Sequence, residues 1–281
     1  MVARLNHRQS YWIMNYPDLP SKEDAWLGRR VIVTGSGRGI GQGCARFFAQ
    51  HQARVLLVAR SESELQGTQR ELLKFTKEVD FIAIDLTENA AAATVVGRAK
   101  SNWGGLDILV TNAGAAAQGG FLELPDDAWL QGFGLKMFAN LRVIREAWPS
   151  LKASKGQVVL IGGGTAKIPE RHLSLVSAIN GGLAALSKSI AEQGILDGIR
   201  VNLVQPGMVH TGRRLRLFQK QAEQAGVTVD QWIARTVQES RVLRLGTPED
   251  VAQLVGFLCS GASAWIHGAI IDVDGGQMKA V

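Results

Sequence analysis

Short apolar runs alternate with longer segments of helical character from residue 29 onward. The runs occupy residues 31–35, 54–60, 80–86, 107–114, 157–163, 199–207 and 268–276. The segments between them are rich in Ala, Leu, Glu, Gln and Lys and cover residues 40–50, 62–76, 89–102, 126–152, 177–196 and 248–259. Runs this apolar are typical of parallel strands covered by helices on both faces. The pattern predicts a doubly wound α/β domain over residues 28–281, with about seven parallel strands.

Two segments depart from this alternation. Residues 208–247 follow the carboxyl end of a strand, where such sheets bind ligands, so we expect a helical substrate lid there. Residues 1–27 form an N-terminal extension, which resembles an arm packed on a surface more than a linker. Its aromatic residues are Tyr11, Trp12, Tyr16 and Trp26.

Composition narrows the class of protein. The chain has 281 residues, 46% of them hydrophobic, and a net charge of +6 from basic residues that are scattered among acidic ones. Such scattering does not indicate a nucleic-acid surface. The two cysteines, Cys44 and Cys259, form neither a disulfide framework nor a metal-ligand spacing. No signal peptide or membrane segment is recognisable, and we expect a cytoplasmic protein without a metal.

A glycine-rich turn lies where the first strand meets the first helix. The turn runs from Thr34 to Gly41 as TGSGRGIG. Glycines allow a tight turn and close approach of a ligand, and a helix amino terminus attracts negative charge. In this strand–turn–helix context the turn predicts a dinucleotide pyrophosphate site. The residues expected to contact it are Gly35, Ser36, Arg38, Gly39, Ile40 and Gly41.

The spacing of this turn resembles the TGxxxGxG motif of the short-chain dehydrogenase/reductase family, whose fold is of the Rossmann type. The resemblance extends over residues 28–281, and the sequence Asp274-Gly275-Gly276 matches the usual ending of the last strand. Thr111 replaces the first Asn of the family's NNAG. The resemblance implies further cofactor contacts from Asp85, Leu86, Asn112, Ala113, Gly114, Asn180, Pro206, Gly207, Val209 and Thr211.

Cofactor preference is indicated by the end of the second strand. An NAD enzyme generally has a carboxylate there, whereas this chain has Ala59-Arg60-Ser61. Arg60 and Arg38 are suited to flank a 2′-phosphate, and Ser61 supplies another donor. This favours NADP(H) over NAD(H). The alternative is that both arginines are surface charges and selectivity is weak.

The family's catalytic residues do not match. The resemblance places Ser, Tyr, Lys and Asn at positions that here hold Gly163, Val176, Asn180 and Lys136. Valine has no ionisable proton and glycine has no side-chain donor, so the usual mechanism cannot operate. The only tyrosines, Tyr11 and Tyr16, lie in the N-terminal extension.

Other residues are candidates for the missing chemistry. Lys136 and Asn180 have exchanged residue types, so one hypothesis is that Lys136 reaches the same site from another helix. The alternative is that Lys136 faces solvent or an interface. His172 is of a residue type suited to acid–base work but is more typical of a surface residue. Ser174 is suited either to orient a substrate or to cap a helix.

Three functions remain open at this point. The first is an NADP(H)-dependent oxidoreductase acting on a carbonyl or alcohol. A bulky, apolar substrate is suggested by the residues expected around the pocket mouth, which are Phe121, Phe133, Met137, Met208 and Leu215. The second is a cofactor-binding protein without redox turnover, such as a sensor, scaffold or partner subunit. The third is a non-redox reaction such as isomerisation or dehydration. By analogy with the family we expect a homotetramer or homodimer, with residues 126–152 and 177–196 at an interface.

Overall fold

A computed structural model of the protein describes residues 25–279. Seven strands form one sheet: β1 (Arg30–Thr34), β2 (Arg54–Ala59), β3 (Val79–Ala83), β4 (Ile108–Thr111), β5 (Gln157–Ile161), β6 (Arg200–Pro206) and β7 (Ile270–Val273). Every pairing is parallel and the strand order is β3-β2-β1-β4-β5-β6-β7. This confirms the predicted Rossmann-type doubly wound sheet.

Helices cover both faces of the sheet. They are α1 (Gly39–Gln50), α2 (Glu62–Leu72), α3 (Ala91–Trp103), α4 (Asp126–Phe133), α5 (Asn140–Ser154), α6 (Ser174–Asp197), α7 (Gly212–Ala225), α8 (Val229–Ser240) and α9 (Pro248–Leu258). A π-helical turn, Gly134–Ala139, joins α4 to α5, and short 3-10 turns occupy Gly164–Ala166 and Gly261–Ser263.

Two hydrophobic cores lie on opposite faces because neighbouring strand residues point in opposite directions. Within β1, Ile32 belongs to the core shared with α3, α5 and α6, whereas Val31 and Val33 belong to the core shared with α1 and α9. All three side chains are fully buried. Burial on both faces explains the nearly unbroken apolar runs in the sequence.

Some predicted element boundaries were wrong. The segment 126–152 is not one continuous helix, because the π-helical turn interrupts it at Gly134–Ala139. The helix predicted to begin at residue 177 begins at Ser174. Segment 208–247 contains α7 and α8, which agrees with the helical character predicted for it.

The start of the described chain is packed into the domain. Trp26 is 8% exposed, meets the Phe47 ring edge-on at a centroid distance of 5.1 Å, and donates from Nε1 to the Gly256 carbonyl oxygen at 3.3 Å. Trp26 therefore belongs to the core although the predicted extension includes it. Tyr11, Trp12 and Tyr16 lie outside the described residues.

Two further properties concern the described residues. None of the helices within 25–279 is long and apolar enough to cross a membrane. The same residues contain no group of three or more His, Cys, Asp or Glu side chains arranged to hold a metal ion.

Candidate cofactor and catalytic site

A cavity of about 650 Å³ opens at the carboxyl ends of β1 and β4. These two strands are neighbours at the point where the strand order reverses, which is the usual ligand site of doubly wound sheets. Eleven of the predicted cofactor residues line it: Gly35, Arg38, Gly39, Ile40, Arg60, Ser61, Leu86, Asn112, Ala113, Gly114 and Thr211. The sheet topology thus brings the glycine turn and the turn after β4 to one cavity.

The glycine turn needs glycine at two positions for different reasons. Gly35 has φ +66°, which side chains rarely tolerate. A Cβ at Gly41 would lie 2.3 Å from the Gly35 carbonyl oxygen. The N-cap residue of α1, Arg38, is extended, and no side chain within the described part of the protein caps this helix end. The amino terminus of α1 is therefore free to bind an anion at the cavity wall.

Hydrogen bonds join the glycine turn to the turn after β4. Asn112 Nδ2 donates to the carbonyl oxygens of Thr34 and Gly35, each at 3.1 Å. In return, Thr34 Oγ1 accepts from the backbone N–H groups of Asn112 at 2.9 Å and Ala113 at 3.0 Å. These contacts fix the two turns relative to each other, so the cavity is formed before any ligand binds.

Both arginines predicted to bind a 2′-phosphate reach the same end of the cavity. Arg38 Nη1 lies 2.9 Å from Glu64 Oε1, and Arg60 Nη1 lies 3.8 Å from Asp85 Oδ2. Both side chains remain mostly exposed, at 61% and 67%. The Glu64 and Asp85 carboxylates partly balance the two positive charges, which remain accessible to a ligand.

Several predicted cofactor residues lie outside the cavity lining and have partners within the protein. Ser36 is fully buried, and its Oγ accepts from the Val58 backbone N–H at 2.8 Å. Asp85 accepts from the backbone and hydroxyl of Thr87, which lowers the pKa of its carboxyl. The remaining residues in this group are Gly41, Asn180, Pro206, Gly207 and Val209.

Lys136 and Asn180, which the sequence hypothesis placed together, are in direct contact. Lys136 Nζ donates to Asn180 Oδ1 at 2.6 Å. Asn180 Nδ2 in turn donates to Thr165 Oγ1 at 2.8 Å. The π-helical turn, α6 and the 3-10 turn after β5 each contribute one residue to this chain of hydrogen bonds. Lys136 therefore does not extend into solvent.

Two glycines make room for this chain. A Cβ at Gly163 would lie 2.8 Å from Asn180 Nδ2, and a Cβ at Gly114 would lie 2.8 Å from Lys136 Cγ. Asn180 is 2% exposed, so it has little space in which to move aside. The absence of a side chain at Gly163 therefore leaves room for Asn180. Gly114 lines the cavity, and the Lys136 side chain packs against it.

The environment of Lys136 changes its acidity. Burial, followed by the positive charge of Arg213, lowers the pKa of the Lys136 ammonium to about 8. Both effects disfavour the charged form of a base. A lysine with this pKa exchanges protons near neutral pH, as a general acid or base requires.

The structure also identifies a residue that sequence reasoning missed. Asn140 is 2% exposed, and its Nδ2 donates to the Lys136 carbonyl oxygen at 2.8 Å and to the Ala113 carbonyl oxygen at 3.1 Å. It therefore ties the π-helical turn to the turn after β4. A buried asparagine within a helical segment was a usable signal, because such a side chain needs partners.

His172 and Ser174 are placed away from this chain. His172 is 68% exposed and lies 3.4 Å from Glu170, while Ser174 Oγ donates to the Arg171 carbonyl oxygen at 2.9 Å. Within the described residues, neither side chain hydrogen-bonds to Lys136 or Asn180. Ser174 instead borders a second, separate cavity of about 430 Å³.

The predicted apolar mouth is only partly assembled. Phe133 packs against the core, and the Met137 side chain contacts Gly182 on α6. Phe121 is 69% exposed. The cavity lining also includes residues that the sequence did not single out: Gly37, Ala59, Glu64, Ile84, Ala115, Leu135, Gly212, Arg213 and Arg216. Most of these residues are next in sequence to predicted cofactor residues, and that proximity was the signal available in the sequence.

Comparison with known proteins agrees with this geometry. A family model described as enoyl-(acyl carrier protein) reductase matches residues 35–278. A short chain dehydrogenase of Emericella nidulans, mdpC, is 33% identical over 256 residues, covering 89% of this chain and 95% of that protein.

Solved structures give the same result. L-sorbose reductase from Gluconobacter frateurii, complexed with NADPH and L-sorbose, has a TM-score of 0.87 and 29% identity, covering 92% of this chain and 100% of that one. An NADPH-bound short chain oxidoreductase from Pseudomonas aeruginosa PAO1, described as containing an atypical catalytic center, has a TM-score of 0.83 and 29% identity, covering 91% and 99%. The chain therefore belongs to the short-chain dehydrogenase/reductase family of oxidoreductases.

Proposed function

We propose that this protein is an NADP(H)-dependent oxidoreductase that interconverts a carbonyl and an alcohol, with Lys136 as the proton carrier. The observation that carries the proposal is the hydrogen-bonded chain of Lys136, Asn180 and Thr165 beside the cavity. Gly163 and Val176 stand where the family resemblance places Ser and Tyr, so the proton needs another carrier. Lys136 can be that carrier, because the pKa of its ammonium is lowered to about 8.

The cavity fits a phosphorylated dinucleotide. Its glycine turn leaves the amino terminus of α1 free for a pyrophosphate, and Arg38 and Arg60 offer charge-assisted hydrogen bonds to a 2′-phosphate. Thr211, Asn112 and Gly114 also line the cavity. The NADPH-bound relatives support the same preference. When bound, the nicotinamide supplies or accepts the hydride.

Lys136 completes the reaction by moving one proton. In the reducing direction its ammonium donates a proton to the carbonyl oxygen as that oxygen gains negative charge, and the amine then takes a proton from water. In the oxidising direction the neutral amine accepts the proton of the alcohol. Asn180 and Thr165 hold the lysine in place, and the Thr165 hydroxyl proton remains available to a substrate oxygen.

A second function is favoured by one feature of the sequence. Val176 has no ionisable proton, and residues 25–279 contain no tyrosine that could serve as the proton donor instead. A cofactor-binding sensor, scaffold or partner subunit without turnover would need only the cavity. A non-redox reaction at Lys136 would produce product without net consumption of cofactor.

Titration with NADPH and NADH, followed by oxidation of NADPH with a panel of carbonyl compounds, tests the proposal. We expect NADPH to bind about tenfold or more tightly than NADH, since one lost charge-assisted hydrogen bond costs about 1.5–3 kcal/mol. Arg38→Gln and Arg60→Gln should weaken NADPH binding and leave NADH binding unchanged, with the exposed Arg235→Gln on α8 as the control.

Each failure has a distinct meaning. No binding of either dinucleotide would overturn the proposal. Binding without NADPH oxidation on any compound would favour the sensor or scaffold, and product formation at constant NADPH would favour a non-redox reaction.

A further inference from the structure

Arg213, at the start of α7, contacts the same turn that seats Lys136. Arg213 lines the cavity, and its Nη2 donates to the Ala116 carbonyl oxygen at 3.4 Å. Two residues earlier in this turn, Gly114 packs against the Lys136 side chain. Two cationic side chains, from α7 and from the π-helical turn, thus converge on residues 114–116.

Arg214 adds a third cation next to Arg213. Its side chain is half-buried, with the guanidinium carbon 5.7 Å from the centroid of the Phe218 ring. Among residues 25–279, no Asp or Glu oxygen lies within 4 Å of Arg213 or Arg214. By contrast, Arg38 and Arg60 at the other end of the cavity each have a carboxylate partner.

The nearest acidic residue does not neutralise this group. Burial and then Arg213 lower the pKa of Arg214, whereas the Glu170 carboxylate acts in the opposite direction. Glu170 Oε2 lies 3.4 Å from His172 Nε2. Arg213 lines the cavity and has no carboxylate partner within 4 Å, so an anion that binds there gains charge-assisted hydrogen bonds without displacing an internal partner.

We propose that the substrate of this site is an anionic carbonyl compound, whose carboxylate or phosphate is bound by Arg213 and Arg214. This inference rests on the proposed oxidoreductase function and names its substrate class. The planar guanidinium groups match either anion with paired hydrogen bonds. Binding the anion at the start of α7 leaves the carbonyl group free to face Lys136. The inference differs from the bulky, apolar substrate that the sequence suggested.

Paired probes test the inference without requiring turnover. We would measure the affinity of acetoacetate against methyl acetoacetate, and of dihydroxyacetone phosphate against dihydroxyacetone, at saturating NADP⁺. Saturation keeps the probes out of the dinucleotide phosphate sites. The variants are Arg213→Gln and Arg214→Gln, and Lys220→Gln on the exposed side of α7 is the matched control.

We expect the anionic member of at least one pair to bind about tenfold or more tightly than its neutral partner, and the pair that responds distinguishes carboxylate from phosphate. Each arginine variant should abolish most of this preference, and Lys220→Gln should keep it. Equal affinities within both pairs would overturn the inference, as would a preference that survives both arginine substitutions. If NADP⁺ does not bind, the oxidoreductase proposal fails. The same comparisons on the unliganded protein then still test whether Arg213 and Arg214 bind an anion.

Discussion

The residues at the centre of the site contact one another closely. Lys136 and Asn180 have each taken the residue type that the resemblance assigns to the other, and they meet at 2.6 Å. Gly163 has no side chain at the place where a Cβ would approach Asn180 Nδ2 to 2.8 Å. Lys136, Asn180 and Gly163 are therefore coupled through direct contacts.

This coupling predicts that adding a side chain at Gly163 is harmful. Gly163→Ala should lower the free energy of unfolding by about 1–3 kcal/mol, because Asn180 must shift and weaken its hydrogen bonds to Lys136 and Thr165. For a chain of this size the melting temperature should fall by roughly 2–4 °C per kcal/mol. Thermal unfolding measures this.

Gly162→Ala is the matched control for that measurement. A Cβ at Gly162 would lie 3.4 Å from Leu203 Cδ2, which is ordinary contact. Its melting temperature should stay close to that of the native protein. Equal losses for the two variants would show that position 163 is not specially constrained by Asn180.

At the scale of elements, the site depends on an interruption that the helical pattern did not signal. Residues 126–152 have continuous helical character, yet the structure inserts a π-helical turn at Gly134–Ala139. The interruption is fixed by tertiary contacts, because Asn140 Nδ2 binds carbonyl oxygens of both Lys136 and Ala113. Local periodicity contains no information about a partner 27 residues away. Single turns of this kind often occur at functional sites.

Asn140 is accordingly expected to be a positioning residue for Lys136. Asn140→Ala leaves two buried carbonyl oxygens without this donor, so we expect a loss of about 1–3 kcal/mol in the free energy of unfolding. We also expect a lower kcat with little change in NADPH affinity, and a shifted midpoint in the pH profile of the reaction.

The exposed Asn102→Ala on α3 is the control for Asn140→Ala. Its side chain also donates to a protein acceptor, Asp80 Oδ2 at 2.8 Å, but it lies away from the cavity. A merely structural role for Asn140 would lower stability without moving the pH midpoint. That result would contradict the positioning role.

At the scale of the whole molecule, alternation of strands and helices was enough to predict the sheet. The central strands are buried on both faces, so the sequence has nearly continuous apolar runs such as Val55–Val58. A strand between two layers of helices is apolar at consecutive positions, and this pattern is easily recognised in the sequence. The position of the cavity follows as well, since β1 and β4 are neighbours at the reversal of strand order.

Contacts between distant segments were harder to predict. Trp26 precedes the first strand by four residues yet is buried against Phe47 and Gly256. Arg213 and Ala116 are likewise 97 positions apart in the chain. The residues next to Trp26 and Arg213 in sequence do not indicate these partners. Sequence therefore predicted the framework and the cofactor turns, and the structure was needed to bring Lys136, Asn180 and the α7 arginines together.

The central claim is that Lys136 carries the proton in a redox reaction of NADP(H). The most direct test is the pH dependence of single-turnover NADPH oxidation, measured with the carbonyl compound that the protein reduces fastest. The native rate should be constant at low pH and fall as pH rises through about 8, because reduction needs the Lys136 ammonium. Alcohol oxidation should show the opposite dependence and rise through the same pH.

Lys136→Met should reduce the rate by about 10²–10⁴-fold and abolish the dependence near that pH. Lys100→Met, an exposed substitution on α3, should keep both the rate and the profile. A Lys136→Met protein that retains the native rate and the same fall with pH would contradict the account.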